Sequence, residues 1–161
     1  MPLTVVTDVS VKQAGNIKIA FGPKIASLIG PSLAAFTLDA TCPTRTLDYD
    51  TTASYTEDQS MCEVDAKTTL DKRTHAFKAT FRVNKANFET LRTQFALDSE
   101  QGVFARWFDP SLTALAVGDK GYAWNGKVGK FLLNPVAIGN EYEATLEMYG
   151  VEFSDKAVLV A

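Results

Sequence analysis

Few side chains in this sequence are of the types that do chemistry, so each can be weighed in turn. His75 is the only histidine. It stands on the apolar side of an alternating stretch, where a single imidazole is more often a hydrogen-bonded core residue than a catalyst or a ligand. Cys42 and Cys62 are the only cysteines and lie twenty residues apart. With one histidine they make no zinc-ligand spacing. Two cysteines are too few for a disulfide scaffold, and a reducing cytoplasm favours free thiols. Glu141, Glu143 and Glu147 could form an acid pair with one to spare, but carboxylates on one side of a strand usually face solvent. The acidic residues between 43 and 71 lack the Asp/Asn-Gly-Glu order of a calcium loop. Trp107 and Trp124 could stack on bases or sugars. Without a basic stripe beside them, burial in the core is the expectation. No phosphate-cradling glycine loop, nucleophile elbow or dinucleotide fingerprint occurs. No catalytic residue, cofactor or metal site is expected, and the chain is not expected to be an enzyme.

The elements that would hold these residues centre on Lys72 to Phe108. From Lys72 to Val83, His75, Phe77, Ala79, Phe81 and Val83 alternate with mostly polar residues, the period-two pattern of a half-buried strand. The period then changes. Asn84 is a good N-cap, with Val83 and Phe88 placed as a hydrophobic staple. Phe88, Leu91 and Phe95 give one apolar stripe, so a helix is predicted over 84–99, stopped before Gly102. Val103 to Phe108 returns as a strand, ended by Asp109-Pro110. This is the one convincing helix in a chain that otherwise reads as β.

At 161 residues the chain is expected to be a single domain with a real core. A net charge of −3 argues against a protein that grips nucleic acid, which needs clustered Lys and Arg. No apolar run approaches the roughly 20 residues of a membrane span. The first residues lack the pattern of a signal peptide, so synthesis in the cytoplasm is the default expectation.

In chain order, residues 1–15 read as an N-terminal arm and Asn16 to Phe21 as a strand. Lys24 to Pro31 is open between a helical turn and a loop, and Ser32 to Cys42 reads as a strand. After the central unit, Gly118 to Gly121 is a predicted turn. Tyr122 to Trp124 resumes a strand, and Asn125-Gly126 is the strongest hairpin signal in the sequence. Val128 to Leu133 would then pair back. From Glu141 to Val151, Tyr142, Ala144, Leu146 and Met148 alternate with Glu141, Glu143, Thr145, Glu147 and Tyr149, and residues 154–161 form a C-terminal tail, apolar from Ala157 onward. Between 43 and 71 the composition turns to Thr, Asp and Ser. Its first third has strand alternation and the rest cannot bury a core of its own. The expectation is an extended polar loop or projecting hairpin that orders against a neighbour, with Asp48, Tyr49, Asp50, Tyr55, Glu57 and Asp58 as its candidate assembly residues.

The stretch from Leu38 to Cys62, with a first Cys, a Thr/Asp/Ser-rich run and a second Cys, resembles the early segment of major tail (tail tube) proteins of long-tailed phages. The likeness is greatest to those of actinobacterial hosts. Gly102-Val-Phe-Ala-Arg-Trp-Phe108, the Ala116-Val-Gly-Asp119 turn and the strand from Tyr142 to Met148 follow in the family's order. The resemblance runs from about Leu33 to Val151. It departs at Glu63-Val64-Asp65, where the family has a clearer Asp-Gly turn, and in a shorter C-terminal tail.

That resemblance implies a mainly β, sandwich- or barrel-like tail tube fold with one flanking helix and a long projecting loop or hairpin. It implies a structural virion protein, made in the host cytoplasm, whose hexameric rings stack into the tail tube. Its partners would be copies of itself, other tail proteins and a tape measure protein in the bore before ejection. DNA would pass without specific binding, and no membrane would be involved. Glu141, Glu143 and Glu147 are the candidate lumen residues, since carboxylates repel phosphate; an outer solvated face fits the same alternation. The alternatives are a β-sandwich adaptor or carbohydrate-binding module using Trp107 or Trp124, and another virion part such as a tail terminator or capsid decoration protein.

Overall fold

The alternation that dominates the sequence forms the strand it predicts. Phe77, Ala79 and Phe81 are buried, while Ala76, Lys78 and Arg82 are exposed. The computed structural model describes residues 17–59, 64–107 and 113–161. The expected N-terminal arm, Cys62, Phe108 and the Asp109-Pro110 stop lie outside the described residues. The elements in chain order are β1 (Lys18–Pro23), a 3₁₀ turn (Leu33–Ala35), β2 (Leu38–Asp39), β3 (Thr44–Asp58) and β4 (Lys67–Arg82). Helix α1 (Lys85–Gln94), β5 (Glu100–Arg106), β6 (Lys120–Leu133) and β7 (Glu143–Val158) follow. All strand pairs are antiparallel, in the order β2-β1-β5-β6-β7-β4-β3.

This sheet has to curl. Its two edge strands, β2 and β3, are consecutive in the chain, with only residues 40–43 between them. Seven strands laid flat at about 4.8 Å spacing would hold the edges about 29 Å apart. The five Cα steps of that link reach at most about 18 Å. The sheet folds over accordingly, and Phe21 on β1 meets Phe77 and Phe81 on β4 with ring centroids 6.4 and 5.9 Å apart. Phe95, Trp124, Val128 and Leu146 complete the enclosed core. A second, smaller core lies on the other face of β5 and β6, where Ile25, Phe104, Ala123, Ala157 and Leu159 pack together.

Helix α1 closes one end of the curled sheet. Asn84 Oδ1 accepts from the Asn87 backbone N–H at 2.9 Å, the expected cap. Leu91 and Phe95 are buried, and Phe88 stacks on Phe131 at 5.8 Å. The helix ends at Gln94, short of the predicted 99, because Phe95 leaves the helical path to enter the core between Phe21 and Phe131. The left-handed residue beyond it is Asp98, at φ 62°, rather than Gly102. Gly102 lies inside β5, and its lack of a side chain serves packing. A Cβ there would come within 2.5 Å of Ile25 Cγ1 and 2.7 Å of the Pro23 carbonyl oxygen.

Three further expectations are corrected. Asn125-Gly126 makes no hairpin; both residues sit in the middle of β6, and neither has the positive φ that the two-residue turn requires. The Asn125 amide is used elsewhere. Its Oδ1 accepts from the Ile25 N–H and its Nδ2 donates to the Ile25 carbonyl, both at 2.8 Å. It thereby pins the loop after β1 onto the sheet. Ser32 to Cys42 is not one strand but a 3₁₀ turn, the two-residue β2 and the link to β3. Residues 154–161 are no free tail either: β7 continues to Val158, and Ala157 and Leu159 are buried.

Candidate functional site

The stretch expected to project is the β3–β4 hairpin, and its geometry depends on where β7 stops supporting it. β4 pairs with β7 only from His75 to Arg82. The register slips between His75 and Phe77, opposite a turn of β7 where Gly150 takes φ 60°. Glycine reaches that backbone region without the strain of a side chain. Such a bulge bends its strand and ends regular pairing. Beyond it, Lys67–Thr74 pairs with Thr52–Asp58 alone among the described strands. The result is a ribbon of two strands, seven residue pairs long, with nearly every side chain exposed.

Composition accounts for this local structure. Thr52, Thr56, Thr68, Thr69 and Thr74 supply β-branched residues that favour extended backbone. Thr56 Oγ1 hydrogen-bonds Asp71 Oδ2 across the ribbon. Tyr55 stands directly opposite Leu70, an aromatic–aliphatic pair 61% and 42% exposed. A hairpin of two strands is marginal in water unless a third strand, a helix or another surface covers one face.

The six candidate assembly residues therefore divide. Tyr55, Glu57 and Asp58 lie on the ribbon. Asp48 and Asp50 lie on the outer face of the supported part of β3, opposite Lys78 and Ala76. Tyr49 points the other way, into an aromatic group. Its ring centroid lies 5.3 Å from Trp124, 5.6 Å from Tyr122 and 5.8 Å from Trp107. Burial, and then the neighbouring Tyr122, push the Tyr49 phenol up from its ordinary value. His75 joins the edge of this group, half-buried, 5.7 Å from Phe153 and with Nδ1 2.9 Å from Thr51 Oγ1. It is a hydrogen-bonded framework residue. Trp124 is 1% exposed, so its face is closed to a sugar or a base.

Glu141, Glu143 and Glu147 do share a face, but each is paired. Arg82 Nε donates to Glu141 Oε2 at 2.6 Å, and a second guanidinium nitrogen reaches Glu141 Oε1. Arg45 lies 3.6 Å from Glu143 and 3.9 Å from Glu141, and Lys78 lies 3.5 Å from Glu147. The Arg82 hydrogen bonds hold the Glu141 carboxyl below its ordinary value. Each of these three carboxylates thus has a cation beside it, and Asp48 and Asp50 add exposed carboxylates on the adjoining outer face of β3. Among the described residues no group of three His, Cys, Asp or Glu side chains could hold a metal ion, and no helix is long and apolar enough to cross a membrane.

Sequence reasoning missed an apolar groove at the helix end of the sheet. It is lined by Val83, Asn84, Lys85, Phe88, Leu133 and Tyr142 and encloses about 290 Å³. A signal was present. Phe131, Leu132 and Leu133 are three apolar residues in a row at a strand end, so alternation cannot bury them all.

No family model matches the chain, and no curated protein matches it. Among solved structures it is similar to a chain of the anti-feeding prophage baseplate, determined by cryo-electron microscopy with 6-fold symmetrisation. That likeness has a TM-score of 0.48 at 10% identity and covers 94% of this chain and 99% of that one.

Proposed function

We propose that this chain is a structural virion protein that polymerises with copies of itself, as stacked six-membered rings, into the tail tube of a long-tailed phage. The observation that carries the reading is the ribbon of Thr52–Asp58 and Lys67–Thr74. Its two strands are extended and paired, yet they bury no core and, among the described residues, have neither a third strand nor a helix behind them. A partner surface is the physical remedy for such an element, and edge pairing between subunits turns an aggregation hazard into an assembly device. The resemblance of Leu38–Cys62 and of the later strands to major tail proteins supplies the kind of assembly.

In this reading the protein acts without catalysis. Copies of the same chain, other tail proteins and a tape measure protein are its partners in the virion tail, and DNA passes without specific binding. The ion-paired face around Glu141, Glu143 and Glu147 suits either a lumen wall or an outer wall. On a lumen wall it would present no cluster of free cations to hold phosphate by counterion release. The carbohydrate-binding alternative loses Trp124 as a stacking surface and is left with the half-buried Trp107.

Negative-stain microscopy of the concentrated protein tests the proposal. Rings or tubes are expected. A protein that stays a single-chain species at every concentration, with or without other tail proteins, would sink it.

A further inference from the structure

We infer that the apolar groove at the helix end of one copy receives the Tyr55–Leu70 pair on the ribbon of the next. The inference rests on the self-assembly reading and names the surfaces that meet. Geometry excludes the intramolecular contact. Leu70 and Val83 are thirteen residues apart along one nearly continuous extended run, so about 40 Å separates the pair from the groove at about 3.3 Å per residue. A ribbon that leaves one end of the sheet and a groove at the other cannot meet within one copy. Between copies, the same contact repeats head to tail without closing on itself, as a stacked assembly requires.

Shape and charge agree. The ribbon carries one exposed apolar cross-strand pair, Tyr55 opposite Leu70. The groove offers Val83, Phe88, Leu133 and Tyr142, with Leu133 and Tyr142 45% and 57% exposed. Glu57, two residues from Tyr55, projects from the same face of the ribbon. Lys85 lines the groove and opens α1, whose first turn contains no acidic residue. A carboxylate arriving there meets both the ammonium group and the positive end of the helix. Glu57 is placed to be that carboxylate when Tyr55 enters the groove.

The test is a charge swap read by the concentration at which sedimentable assemblies form. Glu57→Lys or Lys85→Glu alone should raise it at least about tenfold, because each sets like charges against each other in the contact. The double variant should return close to the wild type. Leu133→Ser, shown to be folded by its thermal melt, should raise the threshold as well. The control is a chain in which Thr52–Thr74 is replaced by Asn-Gly, which should not assemble. If Lys85→Glu and Leu133→Ser assemble like the wild type while the control does not, the ribbon docks elsewhere and the groove pairing is overturned. If the wild type itself never assembles, the self-assembly reading falls and takes this inference with it.

Discussion

The two halves of β4 are one strand with two environments. From His75 to Arg82 it pairs on both edges, with β3 and β7, and buries Phe77, Ala79 and Phe81 against the facing half of the curled sheet. From Lys67 to Thr74 it pairs with β3 alone among the described strands, and every residue is exposed. Pairing with β3 and strand propensity carry on through both halves, while pairing with β7 is confined to the first. The larger difference lies in apolar area: one half removes two phenylalanine rings and an alanine methyl from water, and the other removes almost none. Regular secondary structure thus forms in both, but only the first half contributes to global stability. The second is stable to the extent that something beyond the described strands covers it.

The widest gap between the two regions should appear on truncating their aromatics. Phe95 is 2% exposed, with ring neighbours at 4.9, 5.4 and 5.8 Å. Phe95→Ala should cost about 3–5 kcal/mol, a large part of a total stability of about 5–15 kcal/mol. Tyr55→Ala on the ribbon should stay within about 0.5 kcal/mol of the wild type in the unassembled protein. Equal losses in urea melts would mean that the ribbon belongs to the core after all.

Next in size is Asn125→Ala, which leaves the Ile25 N–H and carbonyl without their buried partner. A loss of about 1–3 kcal/mol is expected. Asn125→Asp should also destabilise, because a carboxylate cannot donate to the Ile25 carbonyl. A neutral result from either variant would show that water replaces the amide.

Excising the ribbon should then have almost no effect on the body. Joining Thr51 to His75, which are directly paired, through Asn-Gly gives a short hairpin turn of a favoured type. The melting temperature should hold within a few degrees while assembly is lost. In the intact unassembled chain, amides of Lys67–Thr74 should exchange with solvent far faster than those of His75–Arg82. Slow exchange throughout β4 would erase the distinction between its halves.

Much of the body was legible because its signals are local. The His75 to Val83 alternation, the Asn84 cap and the Phe88–Leu91–Phe95 stripe each need only neighbouring residues. What stayed hidden depends on partners far along the chain. Asn125-Gly126 carries the code for a turn, yet the amide is claimed by Ile25, a hundred residues away. The polar composition of 43–71 suggested a projecting element, but not where it leaves the sheet. That point lies between the supported part of β3, which includes Tyr49, and the ribbon that begins at Thr52. It is determined by Gly150 on β7, which no pattern within 43–71 encodes. Composition alone therefore groups Asp48, Tyr49 and Asp50 with Tyr55, Glu57 and Asp58. The pairing of Glu141, Glu143 and Glu147 is likewise invisible in their own stretch, because the cations Arg45, Lys78 and Arg82 arrive from β3 and β4.

The smallest expected effect concerns that last pairing. The Glu141 carboxyl is held below its ordinary value of 4.5, chiefly by the Arg82 hydrogen bonds. A carboxyl depressed in the folded chain adds stability above its unfolded value, and that contribution disappears as the pH falls through the folded value. The pair is exposed, so the contribution is slight and screened by salt. At neutral pH and low salt, Glu141→Gln should melt slightly below the wild type. The two should converge below pH 4.5, and again at about 1 M salt, where the screening length shrinks to about 3 Å. Glu57→Gln on the ribbon should leave the melt of the unassembled chain unchanged across the same range, because the ribbon lies outside the part whose unfolding the melt reports. A difference between wild type and Glu141→Gln that widened with falling pH would reverse the sign of the Arg82 pairing. A pH-dependent effect of Glu57→Gln on the melt would mean that the ribbon unfolds together with the body.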